Sequence, residues 1–183
     1  VINLEGKSKS EAINAWNLFS KIYSIKYISS RSPSPHITLQ SDFKILDIDL
    51  FHMKFRDYCK SQKTFKISSN GLGIFIRKTP VLYIRWSSCK ELNMFQKSLG
   101  NFLVSLEKQK IIKNYFKDFD WVPKTTLAYY DTSYTIINEL ISLIKNYDYV
   151  HTMEVIDIYL YKYSNDLGET QIHKYILDKR LLS

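Results

Sequence analysis

Two short segments of the chain carry side chains suited to proton transfer beside an anion. His36 and Thr38 stand in the sequence Pro-His-Ile-Thr-Leu, and Lys124 and Thr126 stand in the similar sequence Pro-Lys-Thr-Thr-Leu. Residues two apart on a strand face the same way, so each segment, as a strand, presents its pair on one face. The imidazole titrates near neutrality and suits proton transfer, whereas the ammonium, with an ordinary pKa of ~10.4, suits the binding of an anion. If the segments face each other, all four side chains meet in one cleft.

The two segments also have similar surroundings in the sequence. Each follows a loop and has an amphipathic helical pattern upstream, and His36 and Lys124 lie 88 positions apart. Such an internal repeat predicts a fold with two pseudo-symmetric lobes. No linker divides the chain, so we interpret residues 1–183 as one domain that contains both lobes.

We expect four helices, three of which have the apolar spacing that is typical of amphipathic helices. The first runs to about Tyr23, and the strongest follows Ser88. Each of these two is preceded by the pattern Ser-x-x-Glu, which starts at Ser8 and at Ser88 and predicts a capping box at the helix start. We expect the other two helices around residues 49–60 and 137–144.

Runs rich in β-branched and aromatic residues predict strands between and after these helices. They cover residues 64–68, 73–76 and 81–86 in the middle of the chain, and 155–163 and 171–177 near its end. This order predicts an α+β fold in which antiparallel sheets line the central cleft and the helices pack outside.

The composition is that of a soluble, folded domain of the cytoplasm. Hydrophobic residues make up 45% of the chain, and five Gly and four Pro exclude a low-complexity sequence. No apolar run approaches the ~18 residues of a membrane span, and the start has no signal-peptide pattern. Cys59 and Cys89 form no C-x-x-C pair, which excludes a disulfide framework and suits a reducing compartment. We therefore expect a cytoplasmic protein without a membrane partner.

The charge balance favours an anionic partner. Lys and Arg number 26 against 18 Asp and Glu, for a formal net charge of +8. Such an excess attracts nucleic acids and nucleotides. The sequence leaves the oligomeric state open.

The two segments together resemble the paired H-x-[ST] motifs of the 2H phosphoesterase superfamily, the group that includes the bacterial 2′-5′ RNA ligase-like proteins. Residues 36–39 match the first motif in full. Residues 121–128, Trp-Val-Pro-Lys-Thr-Thr-Leu-Ala, match the second motif except that Lys124 stands in place of its histidine. The later elements follow in the family's order, so the resemblance covers nearly the whole chain. Two related copies in this order are far more specific than a lone H-x-T.

The resemblance implies phosphodiester chemistry without a metal ion or cofactor. In the family, two histidines exchange protons with the attacking and leaving oxygens, and two hydroxyls hold the phosphate. Carried over to this chain, His36 is the general base or acid. Thr38 and Thr126 hold the phosphate, and Lys124 neutralises its charge or assists the leaving group.

The resemblance also implies the ligand, and it leaves two functions open. The first is a phosphodiesterase that acts on 2′,3′-cyclic phosphate ends, 2′-5′ linkages or small cyclic nucleotides. The second is a protein that binds a nucleotide or RNA end without cleaving it, because Lys124 puts a permanent cation where the family has a proton-transferring histidine. A third, generic alternative is a basic domain that binds RNA through lysine-rich surfaces.

Four further residues are candidates for contacts to the ligand, because bases stack on aromatic rings and phosphates attract arginine. Tyr129 and Tyr130 directly follow the second segment, and Tyr83 and Arg85 lie on the predicted middle strand. The remaining histidines are scattered, and we expect surface or packing roles for them rather than a metal site: His52, His151 and His173.

Overall fold

The computed structural model describes residues 1–115 and 121–178, and this part of the chain contains four helices and ten strands. The helices are α1 (Gly6–Tyr23), α2 (Ile48–Lys60), α3 (Lys90–Lys108) and α4 (Tyr134–Ile144). The strands are β1 (Ile2–Asn3), β2 (His36–Ile37), β3 (Phe43–Ile45), β4 (Phe65–Phe75), β5 (Val81–Trp86), β6 (Ile112–Asn114), β7 (Lys124–Ala128), β8 (Thr152–Val155), β9 (Asp157–Ser164) and β10 (Gly168–Ile176).

Eight of these strands form two antiparallel arrangements of the same design. One is the four-stranded sheet β7-β5-β4-β8. In the other, β1 pairs with β2 and β9 pairs with β10. Val1 and Tyr159 exchange backbone hydrogen bonds of 2.8 and 2.9 Å, the reciprocal pattern of antiparallel strands, and so join β1 to β9. The resulting order is β2-β1-β9-β10, with β2 at one edge as β7 is in the first sheet.

The helices repeat the symmetry of the sheets. Helix α1 connects the antiparallel neighbours β1 and β2, and α3 lies between the antiparallel neighbours β5 and β7 along the chain. Each helix buries one face of apolar residues spaced three or four apart, which packs it onto a sheet. In α3 this face is Leu92, Phe95, Leu99, Leu103 and Leu106. The structure thus confirms the pseudo-symmetric α+β fold with helices outside antiparallel sheets.

Both predicted capping boxes are wrong. Helix α1 begins at Gly6, with Glu5 at the N-cap position, so Ser8 lies inside the helix and its hydroxyl donates to the Glu5 carbonyl at 2.8 Å. Helix α3 begins at Lys90 after Cys89, while the Ser88 hydroxyl pairs with the Asn93 side chain. In both cases the serine hydroxyl finds another local partner, which serine does readily at helix ends.

Two strand predictions also need correction. The runs 64–68 and 73–76 belong to one strand, β4, whose pairing with β5 is irregular between Ser69 and Leu72. Gly71 has a φ of +74° there, so the chain bends without ending the strand. The run 155–163 is divided, because Val155 pairs with β4 whereas Asp157 pairs with β10. The chain therefore crosses from one sheet to the other at residue 156.

Within the described residues, none of the helices is both long enough and apolar enough to cross a membrane.

Candidate functional site

The two edge strands β2 and β7 contact each other, and a cavity of about 160 Å³ opens beside them. Ile37 on β2 and Leu39 just after it are buried in the core, so His36 and Thr38 face the cavity. The second strand alternates in the same way and directs Lys124 and Thr126 into the same cavity. The structure thus brings together the four side chains of the two sequence segments.

His36 is held in one tautomer and is largely buried. Its Nδ1 lies 3.0 Å from the Ser34 carbonyl oxygen, which only accepts hydrogen bonds, and 3.2 Å from the Ser32 hydroxyl, which donates its own hydrogen to that same carbonyl. We therefore assign the ring proton to Nδ1. The lone pair of Nε2 then faces the cavity, where Glu169 Oε1 lies 3.8 Å away. Burial lowers the pKa of His36, and the Glu169 carboxylate opposes this effect. A neutral His36 with a free Nε2 can accept a proton.

Lys124 and Thr126 form the cationic side of the cavity. The Lys124 Nζ donates to the Thr126 hydroxyl at 3.5 Å and lies 6.0 Å from the centre of the Phe75 ring. Burial lowers the pKa of the Lys124 ammonium, and the nearby Arg77 guanidinium lowers it further. A cation and a hydroxyl that converge on one point suit the oxygens of a phosphate.

The three tryptophans of the chain fix the backbone around the cavity. Trp16, on α1 of the first lobe, donates its indole N–H to the Thr126 carbonyl at 3.3 Å. Trp121, just before β7 of the second lobe, donates in return to the Thr38 carbonyl at 2.9 Å. The buried Trp86 donates to the Thr125 hydroxyl at 3.0 Å. Each lobe therefore holds the motif strand of the other, an arrangement we call the tryptophan brace.

Tyr83 and Arg85 lie on β5, beside the second motif strand, but they do not line the cavity. They pair with Thr126 and Lys124 respectively, and directly opposed residues share one face of a sheet. The Tyr83 ring is buried against Phe75, with ring centres 4.5 Å apart. Arg85 donates from Nε to the carbonyl oxygen of residue 70 at 3.2 Å. Both residues border the site without reaching into it.

Tyr129 and Tyr130 also lie outside the cavity, one residue layer away from it. Both rings pack against Tyr27, which lines the cavity, with centre-to-centre distances of 6.3 and 4.8 Å. Tyr130 is 62% exposed and has a φ of +73°, an unusual conformation for a bulky residue. The two tyrosines extend the rim of the cavity toward solvent.

A further wall of the cavity was not predicted. It comes from the loop before β2 and from the β9–β10 hairpin, and it consists of Tyr27, Ile28, Arg31, Ser32, Tyr163 and Glu169. The backbone N–H of Glu169 donates to the Arg31 carbonyl at 2.6 Å, and Arg31 Nη1 donates to the Asn165 carbonyl at 3.0 Å. Arg31 and Ser32 precede the first segment closely enough to be suspected from sequence, whereas no local pattern singles out Glu169.

Gly168 allows the hairpin to pack against that loop. We therefore expect replacement by alanine to lower the unfolding free energy more at Gly168 than at Gly71. Both Gly168 and Gly71 have positive φ, but a Cβ at Gly168 would lie 2.5 Å from the Arg31 carbonyl oxygen, whereas one at Gly71 meets nothing within 4 Å. We expect Gly71→Ala to cost about 1–2 kcal/mol of unfolding free energy through backbone strain. Gly168→Ala should cost about 1–3 kcal/mol more, because the clash must also be relieved. Urea denaturation of both variants measures this difference, and equal losses would contradict the docking of the hairpin.

The other histidines lie apart from the cavity. His151, just before β8, has its Nε2 2.6 Å from Glu11 Oε2 on α1, whereas His52 contacts the Tyr175 hydroxyl and packs against His173. No group of three or more His, Cys, Asp or Glu side chains within residues 1–115 and 121–178 is arranged to hold a metal ion.

Fold and site together define a protein of the 2H phosphoesterase type. The sequence matches the family model of the 2′-5′ RNA ligase superfamily over residues 8–167, and the chain belongs to that family. The structure is similar to the crystal structure of TT0787 of Thermus thermophilus, with a TM-score of 0.63 and 15% sequence identity. That similarity covers 98% of this chain and 96% of the other. Among curated proteins, none has a matching sequence.

Proposed function

We propose that this protein is a metal-independent phosphodiesterase that hydrolyses 2′,3′-cyclic phosphate ends, 2′-5′ linkages or small cyclic nucleotides. One observation carries the proposal: the free Nε2 of His36 and the ammonium of Lys124 line the same cavity from the two motif strands. Hydrolysis needs a proton acceptor for water and a proton donor for the leaving oxygen, and these two groups supply them.

The proposed reaction follows from these roles. His36 Nε2 accepts a proton from water while the water oxygen forms a bond to phosphorus. The bond between phosphorus and the leaving ribose oxygen breaks, and that oxygen takes a proton from the Lys124 ammonium. Thr38 and Thr126 donate hydrogen bonds to the non-bridging oxygens, on which negative charge accumulates. Exchange with solvent then returns the proton from His36 and reprotonates Lys124.

The dimensions of the site fit a ligand whose phosphate group lies inside the cavity while its other groups lie outside. The cavity of about 160 Å³ is smaller than the ~300–1,000 Å³ of pockets that surround drug-sized ligands. A larger cavity of about 1230 Å³ adjoins it and shares Thr38, Tyr163 and Glu169. We propose that the phosphate occupies the small cavity and that the sugars and bases extend past Tyr129 and Tyr130, the candidate contacts at its rim. The exposed Arg85 is a further candidate beside the site, whereas Tyr83 is buried against Phe75 and is not available for such a contact.

A substrate panel tests the proposal. The protein is incubated with 2′,3′-cyclic nucleotides, 2′-5′-linked dinucleotides and small cyclic oligonucleotides, and the products are identified by mass spectrometry. We expect at least one member to be hydrolysed faster than by the variant His36→Ala. No turnover above that control for any member would refute a phosphodiesterase.

Lys124 favours a second candidate function, the capture of a nucleotide or RNA end without cleavage. An ammonium beside Thr126 binds a phosphate well, but its ordinary pKa lies far above that of the histidine in the family motif and matches poorly the proton transfers of the reaction. Calorimetry with the same panel separates the two functions. Tight binding with intact ligand recovered supports capture, and the absence of binding for every nucleotide excludes it.

The proposed roles predict a bell-shaped dependence of kcat/KM on pH. Activity requires neutral His36, whose pKa burial lowers, so the acid limb lies below the ordinary ~6.5. It also requires protonated Lys124, whose pKa burial and Arg77 lower, so the alkaline limb lies below the ordinary value of 10.5. A guanidinium does not give up its proton in this range, so the variant Lys124→Arg should be slower, and the activity that remains should lack the alkaline limb. An alkaline limb that stays in place in this variant would show that Lys124 is not the donor.

A further inference from the structure

Glu169 places a carboxylate in a cavity that is otherwise suited to phosphate. Its side chain is 29% exposed, and Oε1 lies 3.8 Å from His36 Nε2. A negative charge here repels the phosphate of a ligand and so weakens its binding. A role in the reaction would explain why a carboxylate lies at this position. The separation from Nε2 exceeds the 2.7–3.2 Å of a direct N–H···O hydrogen bond but lets one water oxygen lie within reach of both atoms.

We propose that Glu169 is a further residue of the reaction site, which holds the attacking water together with His36. This inference rests on the proposed function. The water donates one hydrogen to Nε2 and the other to Oε1, which directs an oxygen lone pair at phosphorus. The proton on the Nε2 side is transferred as the new P–O bond forms, and Glu169 keeps the other hydrogen bond without taking the proton. The imidazolium that results faces the carboxylate and is stabilised by it.

The backbone of the hairpin, not the carboxylate, fixes the position of Glu169. Its N–H donates to the Arg31 carbonyl, and Gly168 before it adopts a φ of +70° against the same loop. The variant Glu169→Gln keeps these contacts and the size of the side chain, so it removes the charge and little else. It is therefore a test of chemistry rather than of folding.

Charged and polar groups from several elements surround His36, and they act in opposite directions on its titration. Glu169 from β10 and the Ser34 carbonyl favour the protonated imidazole, whereas Lys124 from β7 disfavours it. Among these groups, Glu169 carries the negative charge that raises the pKa of His36. Its neutralisation should therefore move the titration of His36 to lower pH.

NMR titration of His36 tests the pairing without any substrate. We expect the midpoint of the His36 titration to fall in Glu169→Gln and to be partly restored in Glu169→Asp, which keeps the charge. The control Glu154→Gln removes an equal charge from an exposed position on β8 and should leave the midpoint unchanged. An unchanged His36 midpoint in Glu169→Gln would overturn the inference.

Kinetics with a 2′,3′-cyclic nucleotide test the role in the reaction. We expect Glu169→Gln to lower kcat on the order of 10²-fold, with an unchanged or lower KM because the repulsion of phosphate is gone. The acid limb of its pH profile should move with the NMR midpoint. A normal kcat together with a shifted midpoint would overturn the water-holding role. If the wild type turns over no substrate, the proposed function fails, and the NMR titration still decides whether Glu169 and His36 are paired.

Discussion

Replacing Lys124 with histidine is expected to raise the rate of hydrolysis of a 2′,3′-cyclic nucleotide by up to ~10²–10⁴-fold at neutral pH. An ordinary lysine pKa of ~10.4 is a poor match to proton transfer near pH 7, whereas that of histidine is ~6.5. The backbone of β7 already directs residue 124 into the cavity beside Thr126, so an imidazole on that backbone faces the same phosphate. Steady-state kinetics of Lys124→His against wild type measure the change.

The affinity for the ligand should move in the other direction in this variant. A partly protonated ring replaces a full positive charge, so binding measured by calorimetry should stay level or fall. Lys124→Ala is the matched control. It should weaken binding more, because it removes the charge and leaves no side-chain hydrogen-bond donor at position 124. A fall in the rate for Lys124→His would contradict the prediction and would show that the ammonium serves the reaction better at this position than an imidazole does.

His36→Ala is expected to lower the same hydrolysis by ~10²–10⁴-fold while leaving much of the binding intact. The variant removes the proposed proton acceptor, but Thr38, Lys124 and Thr126 still line the cavity. Parallel kinetics and calorimetry separate the two effects. His173→Ala is a suitable control, since it removes an exposed histidine of β10 outside the cavity. Equal rates for the His36 variant and the wild type would exclude His36 as the general base.

The amino-acid sequence predicts the helices and the two motif strands of this fold well. All four helices appear where apolar residues recur at three- and four-residue spacing, because that pattern depends only on which face is buried. Helix starts were predicted less well, since Ser8 and Ser88 match a capping pattern but bond elsewhere. The sequence does not predict the short pair β3–β6, because three residues carry too little alternation to distinguish a strand from a loop.

The candidate site was predictable only where it follows the repeat. His36 and Lys124 stand at equivalent positions of two similar segments, so one local pattern identifies both. Glu169 reaches the same cavity through the docking of a hairpin on the loop at Arg31, a contact between residues far apart in the chain. Tertiary contacts of this kind leave no periodic signal in the sequence.

The tryptophan brace has a thermodynamic consequence for any ligand of this site. Because Trp16 and Trp121 each bond to the motif strand of the opposite lobe, the lobes cannot separate without breaking both hydrogen bonds. The entropic cost of bringing the two walls of the cavity together is therefore met when the chain folds, before any ligand arrives. A preorganised site keeps more of its contact energy as affinity, since little ordering remains for the binding step. Because of the brace, the entropy lost in ordering the site belongs to folding of the free protein and not to ligand binding.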